Sequence, residues 1–183
     1  MMKKNGFTLI ELLITFIILG IATSIAIPGF SRWLPGYRLK SASRELYANM
    51  QLAKMGAIKD NADWAVIFDT TAGAHRYLIC SNKGADDSWS NTADNTIEKT
   101  IILSDYESGV DYGHGNATTP VGTTFGDEIT FTGNTVVFNY RGMINSITGG
   151  YVYLQNNRNN TYAVGALGTG VILMRTWTGT AWE

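Results

Sequence analysis

The residue that most demands a chemical explanation is Glu11. It stands inside an apolar run, Phe7 to Ile27 (FTLIELLITFIILGIATSIAI), that follows a short polar start carrying Lys3 and Lys4. As a helix those residues extend about 31 Å at 1.5 Å each, close to the roughly 30 Å of a bilayer's hydrocarbon core. A carboxylate there costs a few kcal/mol at mid-membrane and less near an end. Such an acid is functional by default and calls for a cationic partner. The lysines ahead of the run favour a cytoplasmic N-terminus, with the rest of the chain on the other side.

Other chemistries find little support. Two histidines, His75 and His114, with one cysteine, Cys80, do not make a usual zinc set. Cys80 ends the apolar run Tyr77-Leu78-Ile79, where a cysteine behaves as a small buried hydrophobe, and it has no intrachain partner for a disulfide. Asp86, Asp87 and Asp94 share one polar stretch and invite calcium, but they lack the alternating ligands and turn glycine of an EF-hand loop. A solvated acidic loop is the simpler reading. Gly-x-Ser-x-Gly is missing, and the Gly-rich stretches lack the lysine and spacing of a phosphate or dinucleotide site. The expectation is therefore no catalytic residue, no cofactor and no metal. A formal net charge of −1 does not suggest a polyanion partner. The 183 residues are 45% hydrophobic and only 16% charged, and part of that excess is the N-terminal block.

The elements that must position Glu11 and its surroundings are legible from periodicity. Pro28-Gly29 and Pro35-Gly36 predict interruptions of helical geometry. Beyond them, Tyr37 to about Lys59 reads as an amphipathic helix, with Leu39, Ala42, Leu46, Met50, Ala53 and Ala57 on one stripe. Arg38, Lys40, Arg44, Lys54 and Lys59 fall mainly off it. From Asp63 the pattern becomes short strands. Trp64–Phe68 and Arg76–Cys80 predict one hairpin, and Ile129–Phe131 with Val136–Phe138 around Gly133-Asn134 a second. Gly150–Gln155 and Thr161–Leu167 predict a third. With Thr96–Leu103 and Val171–Trp177 the count is seven or eight strands. Asn82–Asn95 and Gly109–Gly126 read as long loops.

Three readings of the N-terminal run compete: a cleaved signal peptide, for which Ser24-Ile25-Ala26 offers small residues, a plain signal anchor, and a processed precursor. Glu11 favours the third, since the others have no use for it. Lys3-Lys4-Asn5-Gly6 followed by Phe7-Thr8-Leu9-Ile10-Glu11 resembles the leader and cleavage site of type IV pilins and type II secretion pseudopilins. The resemblance implies cleavage by a prepilin peptidase between Gly6 and Phe7, N-methylation of Phe7, and pairing of Glu11 with the Phe7 amine of a neighbouring subunit. It implies a helix kink at Pro28. It also implies an α+β fold, a long membrane-and-spine helix packed on a mostly antiparallel β domain.

The later chain looks more narrowly like the H-type pseudopilin and FimT-like minor pilin family. The carriers are Asn139-Tyr140-Arg141-Gly142, the paired strands that follow, and Gly168-Thr169-Gly170. The implied organisation is a leader at 1–6, a transmembrane helix at 7–27, its continuation at 28–59 and a periplasmic β domain at 60–183. The implied partners are other pilin or pseudopilin subunits, the peptidase, an inner-membrane assembly platform and the membrane, with an inner-membrane location before assembly. DNA capture is one alternative. FimT-like DNA binders use a Gly-Arg-x-Arg element near the C-terminus, where this chain has Gly170-Val171. From Asp60 to Glu183 there are six Lys/Arg against thirteen Asp/Glu, a formal −7 that disfavours phosphate contact. A tip adhesin, with Trp177, Trp182, Tyr151 and Tyr153 as contact surface, is the other.

Overall fold

The structure is a computed structural model that describes residues 7–71, 73–122, 125 and 127–183. The expected cleavage residue Gly6 lies outside the described residues. The chain divides into two compact units, Met1–Leu34 and Pro35–Glu183. One helix, α1 (Leu9–Asp60), belongs to both.

In the first unit, Leu9–Ile27 is long and apolar enough to cross a membrane, with a mean hydropathy of 2.4. Its side chains are exposed all round, and it has no polar face. A helix apolar on every side seeks either a large core or lipid. Its hydroxyls are satisfied from within: Thr15 Oγ1 donates to the Leu12 carbonyl, Thr23 to Leu19 and Ser24 to Ile21. Each thus avoids an unmade hydrogen bond in hydrocarbon.

The expected interruptions at Pro28-Gly29 and Pro35-Gly36 do not break the helix, which runs from Leu9 to Asp60. Each proline removes one amide donor and crowds the carbonyl four residues back, a local cost of about 3 kcal/mol. Long helical runs on both sides absorb it.

In the second unit, α1 packs on two four-stranded antiparallel sheets. The first has the order β3-β2-β1-β5, from β1 (Trp64–Asp69), β2 (Arg76–Asn82), β3 (Thr96–Ile102) and β5 (Thr135–Phe138). The second has the order β4-β6-β7-β8, from β4 (Asp111–Tyr112), β6 (Gly150–Gln155), β7 (Thr161–Ala166) and β8 (Ile172–Thr176). The helix stripe read from the sequence is the buried one: Leu39, Ala42, Leu46, Met50, Ala53 and Ala57 are at most 1% exposed. They share one core cluster with Val66, Phe68 and Ile79 of the first sheet and Val152, Leu154 and Val164 of the second.

The first and third expected hairpins form, with β1 pairing β2 and β6 pairing β7. The second does not. β5 pairs with β1, while Ile129 bridges to Val152 of the other sheet. Gly133 and Asn134 supply the expected left-handed backbone, at φ 63° and 50°, but the chain leaving that turn changes sheets. β4, two residues long and inside the stretch read as a loop, is too short to leave a periodic signal.

β1 and β2 are buried on both faces. Trp64, Val66, Phe68, Tyr77 and Ile79 point into the main core, and Ala65, Ile67, Leu78 and Cys80 form a second cluster capped by Trp89 of the 83–95 loop. That is why their sequences read as unbroken apolar runs. β3, at the sheet edge, is exposed along most of its length.

Two groups of contacts tie the helix to the first sheet and the segment after β3. Trp64 lays its ring against Gly56, whose substitution by any side chain would put a Cβ within 2.6 Å of the indole, while Trp64 Nε1 donates to Asp60 at 3.1 Å. Farther back, Lys99 Nζ donates to Glu45 Oε1 at 2.9 Å and to Asn49 Oδ1 at 3.3 Å. Tyr106 donates to the other Glu45 oxygen, and Asn49 Nδ2 donates to the buried Tyr77 hydroxyl at 2.9 Å. The bonds from Lys99 and Tyr106 hold the Glu45 carboxyl below its usual range. Desolvation, and for Tyr106 the Glu45 bond, push the Tyr77 and Tyr106 hydroxyls upward.

Gly56→Ala is expected to destabilise the chain by about 1–3 kcal/mol through overpacking, although alanine is the better helix former. A raised thermal midpoint would show that the indole yields freely. Glu45 contributes stability above its unfolded value, near 4.5, that is lost as pH falls through its lower folded value. Wild type should therefore lose more stability between about pH 5 and pH 3 than Glu45→Gln in parallel denaturant titrations.

Candidate assembly site

Phe7, Thr8 and Glu11 open α1. Thr8 is the residue before the first helical position, and Glu11 is the third residue of the helix. Thr8 N donates to Glu11 Oε2 at 3.0 Å, Thr8 Oγ1 donates to the same oxygen at 2.9 Å, and Glu11 N donates to Thr8 Oγ1 at 3.3 Å. This is a reciprocal capping box, in which side chains satisfy amides that the first turn leaves without helical partners. The negative charge also sits at the positive end of the helix dipole. Glu11 therefore has a local role in its own chain besides any intersubunit one. The signal, Thr-x-x-Glu at the head of an apolar run, is present in the sequence, yet the residue reading above leaves Thr8 without a role.

Both bonds fall on one carboxylate oxygen, and a carboxylate accepts about four in all. Glu11 thus keeps capacity for a further donor. It lies two residues into the apolar span, about 3 Å along the axis, where a charge costs less than at the centre. Phe7 is 85% exposed. Of the other expected site residues, Pro28 is incorporated in α1.

The two weak C-terminal motifs are brought together. Asn139 Oδ1 accepts from the amides of Arg141 and Met143, fixing a turn that presents Gly142. A Cβ on Gly170 would lie 1.8 Å from the Gly142 carbonyl oxygen. Lys54 of α1 donates to the Gly170 carbonyl at 2.9 Å. Residues nearly thirty positions apart thus form one clamp on the helix.

The remaining sequence candidates have structural employment. His114, Phe125, Tyr153, Trp182 and Trp177 form a continuous chain of ring contacts with centroids 4.6–5.6 Å apart. Tyr153 is fully buried, and Trp182 Nε1 donates to the Thr119 carbonyl at 2.7 Å. Tyr153 therefore packs the domain, while Trp177, Trp182 and Tyr151 are partly buried. In the acidic loop, Asp94 accepts from the amides of Ala85 and Asp86, and Asp87 pairs with Lys83. Among the described residues no group of three metal-ligating side chains converges. Burial, helped by the charge of Glu98, pushes the Cys80 thiol up to about 11, which suppresses the thiolate. His75 Nδ1 meets Asp111 at 2.6 Å on the half-exposed surface.

An apolar helical run headed by a carboxylate, continuing into a helix packed on antiparallel sheets, defines a pilin-like subunit. The known prokaryotic N-terminal methylation motif matches residues 1–27. The type II transport protein GspH family matches residues 42–170, and the chain belongs to that family. It is a subunit of the minor pseudopilin or minor pilin kind, and the family is one of structural pilin subunits rather than enzymes. The fold is similar to the type IV minor pilin FimU of Pseudomonas aeruginosa. One crystal form gives a TM-score of 0.55 at 12% identity, over 82% of this chain and 96% of that one. A second gives 0.51 at 10% identity, over 79% and 96%. The minor pseudopilin EpsH from the type 2 secretion system of Vibrio cholerae scores 0.48 at 14% identity, over 75% and 95%. A search of curated protein sequences returned no match.

Proposed function

We propose that the chain is made as a prepilin, cut between Gly6 and Phe7 by a prepilin peptidase, and N-methylated on Phe7. It then sits as a single-pass inner-membrane protein, with 7–27 spanning, 28–59 continuing the helix and 60–183 in the periplasm. An assembly platform extracts it into a type II secretion pseudopilus or type IV pilus. In the filament Glu11 accepts from the Phe7 amine of a neighbour, and α1 bends at Pro28 to fit. The observation that carries this reading is the carboxylate of Glu11 at the third position of an otherwise apolar helix. Its desolvation is offset once an ammonium meets it in register, and the Thr8 box shelters it until then. No enzymatic role, cofactor or metal enters the proposal. DNA capture is not favoured, because Val171 stands where the cationic element would begin and the domain is strongly acidic.

Intact mass and N-terminal sequencing of the chain from native membranes test the processing, with a start at N-methylated Phe7 expected. A start at Met1 or Met2 would make the chain a plain anchor, and one after Ala26 a secreted domain. Glu11→Ala should insert normally but fall at least tenfold in the sheared filament fraction. Unchanged incorporation would remove the proposed ion pair.

A further inference from the structure

The apolar span ends at Ile27, yet exposed aromatic side chains follow it for nearly two more turns of α1. Phe30 is 61% exposed and Trp33 56%. They lie on one side of the helix, and their rings meet at a centroid distance of 6.1 Å, tilted by 51°. Arg32, between them in sequence, leaves the helix on another side and is exposed too. Ser31 Oγ donates back to the Ile27 carbonyl at 3.0 Å, as the hydroxyls of the span do to theirs. This band closes the first unit, which ends at Leu34.

Residue type and distance restrict what the band can meet. Between Leu9 and Ile27 the span holds a single aromatic, Phe16. An indole has a donor on an apolar body, and an arginine has a cationic head on an apolar stem. Both suit a layer that is apolar on one side and wet on the other. Tryptophan is enriched at that level in membrane proteins, and arginines near helix ends reach out to it. At 1.5 Å per residue Phe30 stands about 4.5 Å beyond Ile27, and Trp33 about 9 Å. The headgroup layer on each side of the hydrocarbon is roughly 5–7 Å deep. Leu9–Ile27 is itself about 28 Å long, slightly short of the hydrocarbon, which draws the band inward.

The distance to Glu11 gives an independent measure. Along the axis Glu11 stands about 28 Å before Phe30 and about 33 Å before Trp33. Those values bracket the hydrocarbon thickness of roughly 30 Å. A helix seated by its aromatic band at one headgroup layer therefore holds the Glu11 carboxylate at the other, where a charge costs least.

We infer that Phe30, Arg32 and Trp33 are an interfacial anchor. They bind the phospholipid headgroup layer of the leaflet from which the rest of the chain emerges, with Arg32 at the phosphates and the two rings at the glycerol level. They thereby fix the depth of the helix, with Glu11 at the opposite boundary. The inference rests on the membrane-anchored reading of the chain and adds to it a lipid-binding site and a register.

The test uses the full-length chain in vesicles of phosphatidylethanolamine and phosphatidylglycerol, with lipids brominated near the glycerol end or near the tip of the acyl chains as quenchers. Trp33 is one of five tryptophans, so its emission is the difference between wild type and Trp33→Phe. Shallow bromines should quench it at least twice as strongly as deep ones, and Arg32→Glu should bring that ratio toward one. A tryptophan placed mid-span by Ile18→Trp should show the reverse preference. Phe30→Ala with Trp33→Ala should remove at least half of that preference as the helix loses its register. Stronger quenching of Trp33 by the deep set, quenching by neither, or emission that follows the protein-to-lipid ratio instead, as contact between two copies would give, overturns the inference. So does an unchanged ratio in Arg32→Glu, or an Ile18→Trp profile that the double variant leaves as it was. Position 18 separates the two readings. If its tryptophan is quenched by deep bromines and Trp33 by neither set, the anchor alone is wrong. If neither tryptophan is quenched, the membrane reading itself fails.

Discussion

Leu39, Ala42, Leu46, Met50, Ala53 and Ala57 lose water to both sheets at once, and the rest of the second unit is arranged around that loss. Three of the six are alanines. They add little apolar area each, but they permit close approach, and the larger share of burial comes from Val66, Phe68, Val152 and Leu154 coming down onto them. The polar ties, Lys99 to Glu45 and Lys54 to Gly170, lie beside this seam and fix which turn of the helix meets which strand. Burial supplies the attraction, and the hydrogen bonds supply the register.

The same helix meets a second requirement in its first half. Over Leu9–Ile27 the side chains are apolar or hydrogen-bonded within the helix, and the one charged side chain there, Glu11, is held by Thr8. The chain thus carries two helical patterns in one element: hydrophobic all round for lipid, then a single stripe for a sheet. Membership of a filament-forming family gives the pairing its sense. The first pattern fits a membrane anchor, and the second fastens a folded domain to the same helix.

Much of this was legible in the residues, and what was not has definite causes. The helix stripe, the β1–β2 and β6–β7 hairpins and the buried Cys80 follow from local periodicity, which tertiary contacts here reinforce. The Gly133-Asn134 turn was recognisable, but not that its flanking segments join different sheets, because turn chemistry sets a local reversal and says nothing about distant partners. The prolines misled because the local cost of each is visible in a sequence, while the summed cooperativity of a 52-residue helix is not. In the assembly site, Glu11 was conspicuous as a charge among hydrocarbons. The contact between Gly142 and Gly170 lacked any local signature, since each glycine matters only for the other's backbone.

The open flank of β3 has a consequence for how such subunits stay apart. A sheet edge with free amides and carbonyls is a template for any extended chain, and at high local concentration it promotes uncontrolled aggregation. β3 carries Glu98 and Lys99 side by side at its centre, one reaching Ser81 and the other Glu45 on opposite faces of the sheet. An incoming strand would have to pass two adjacent charges of opposite sign already held in place. Stickiness at that margin is thereby lowered, so that a subunit of a polymer-forming family does not recruit extended chains through its open sheet edge.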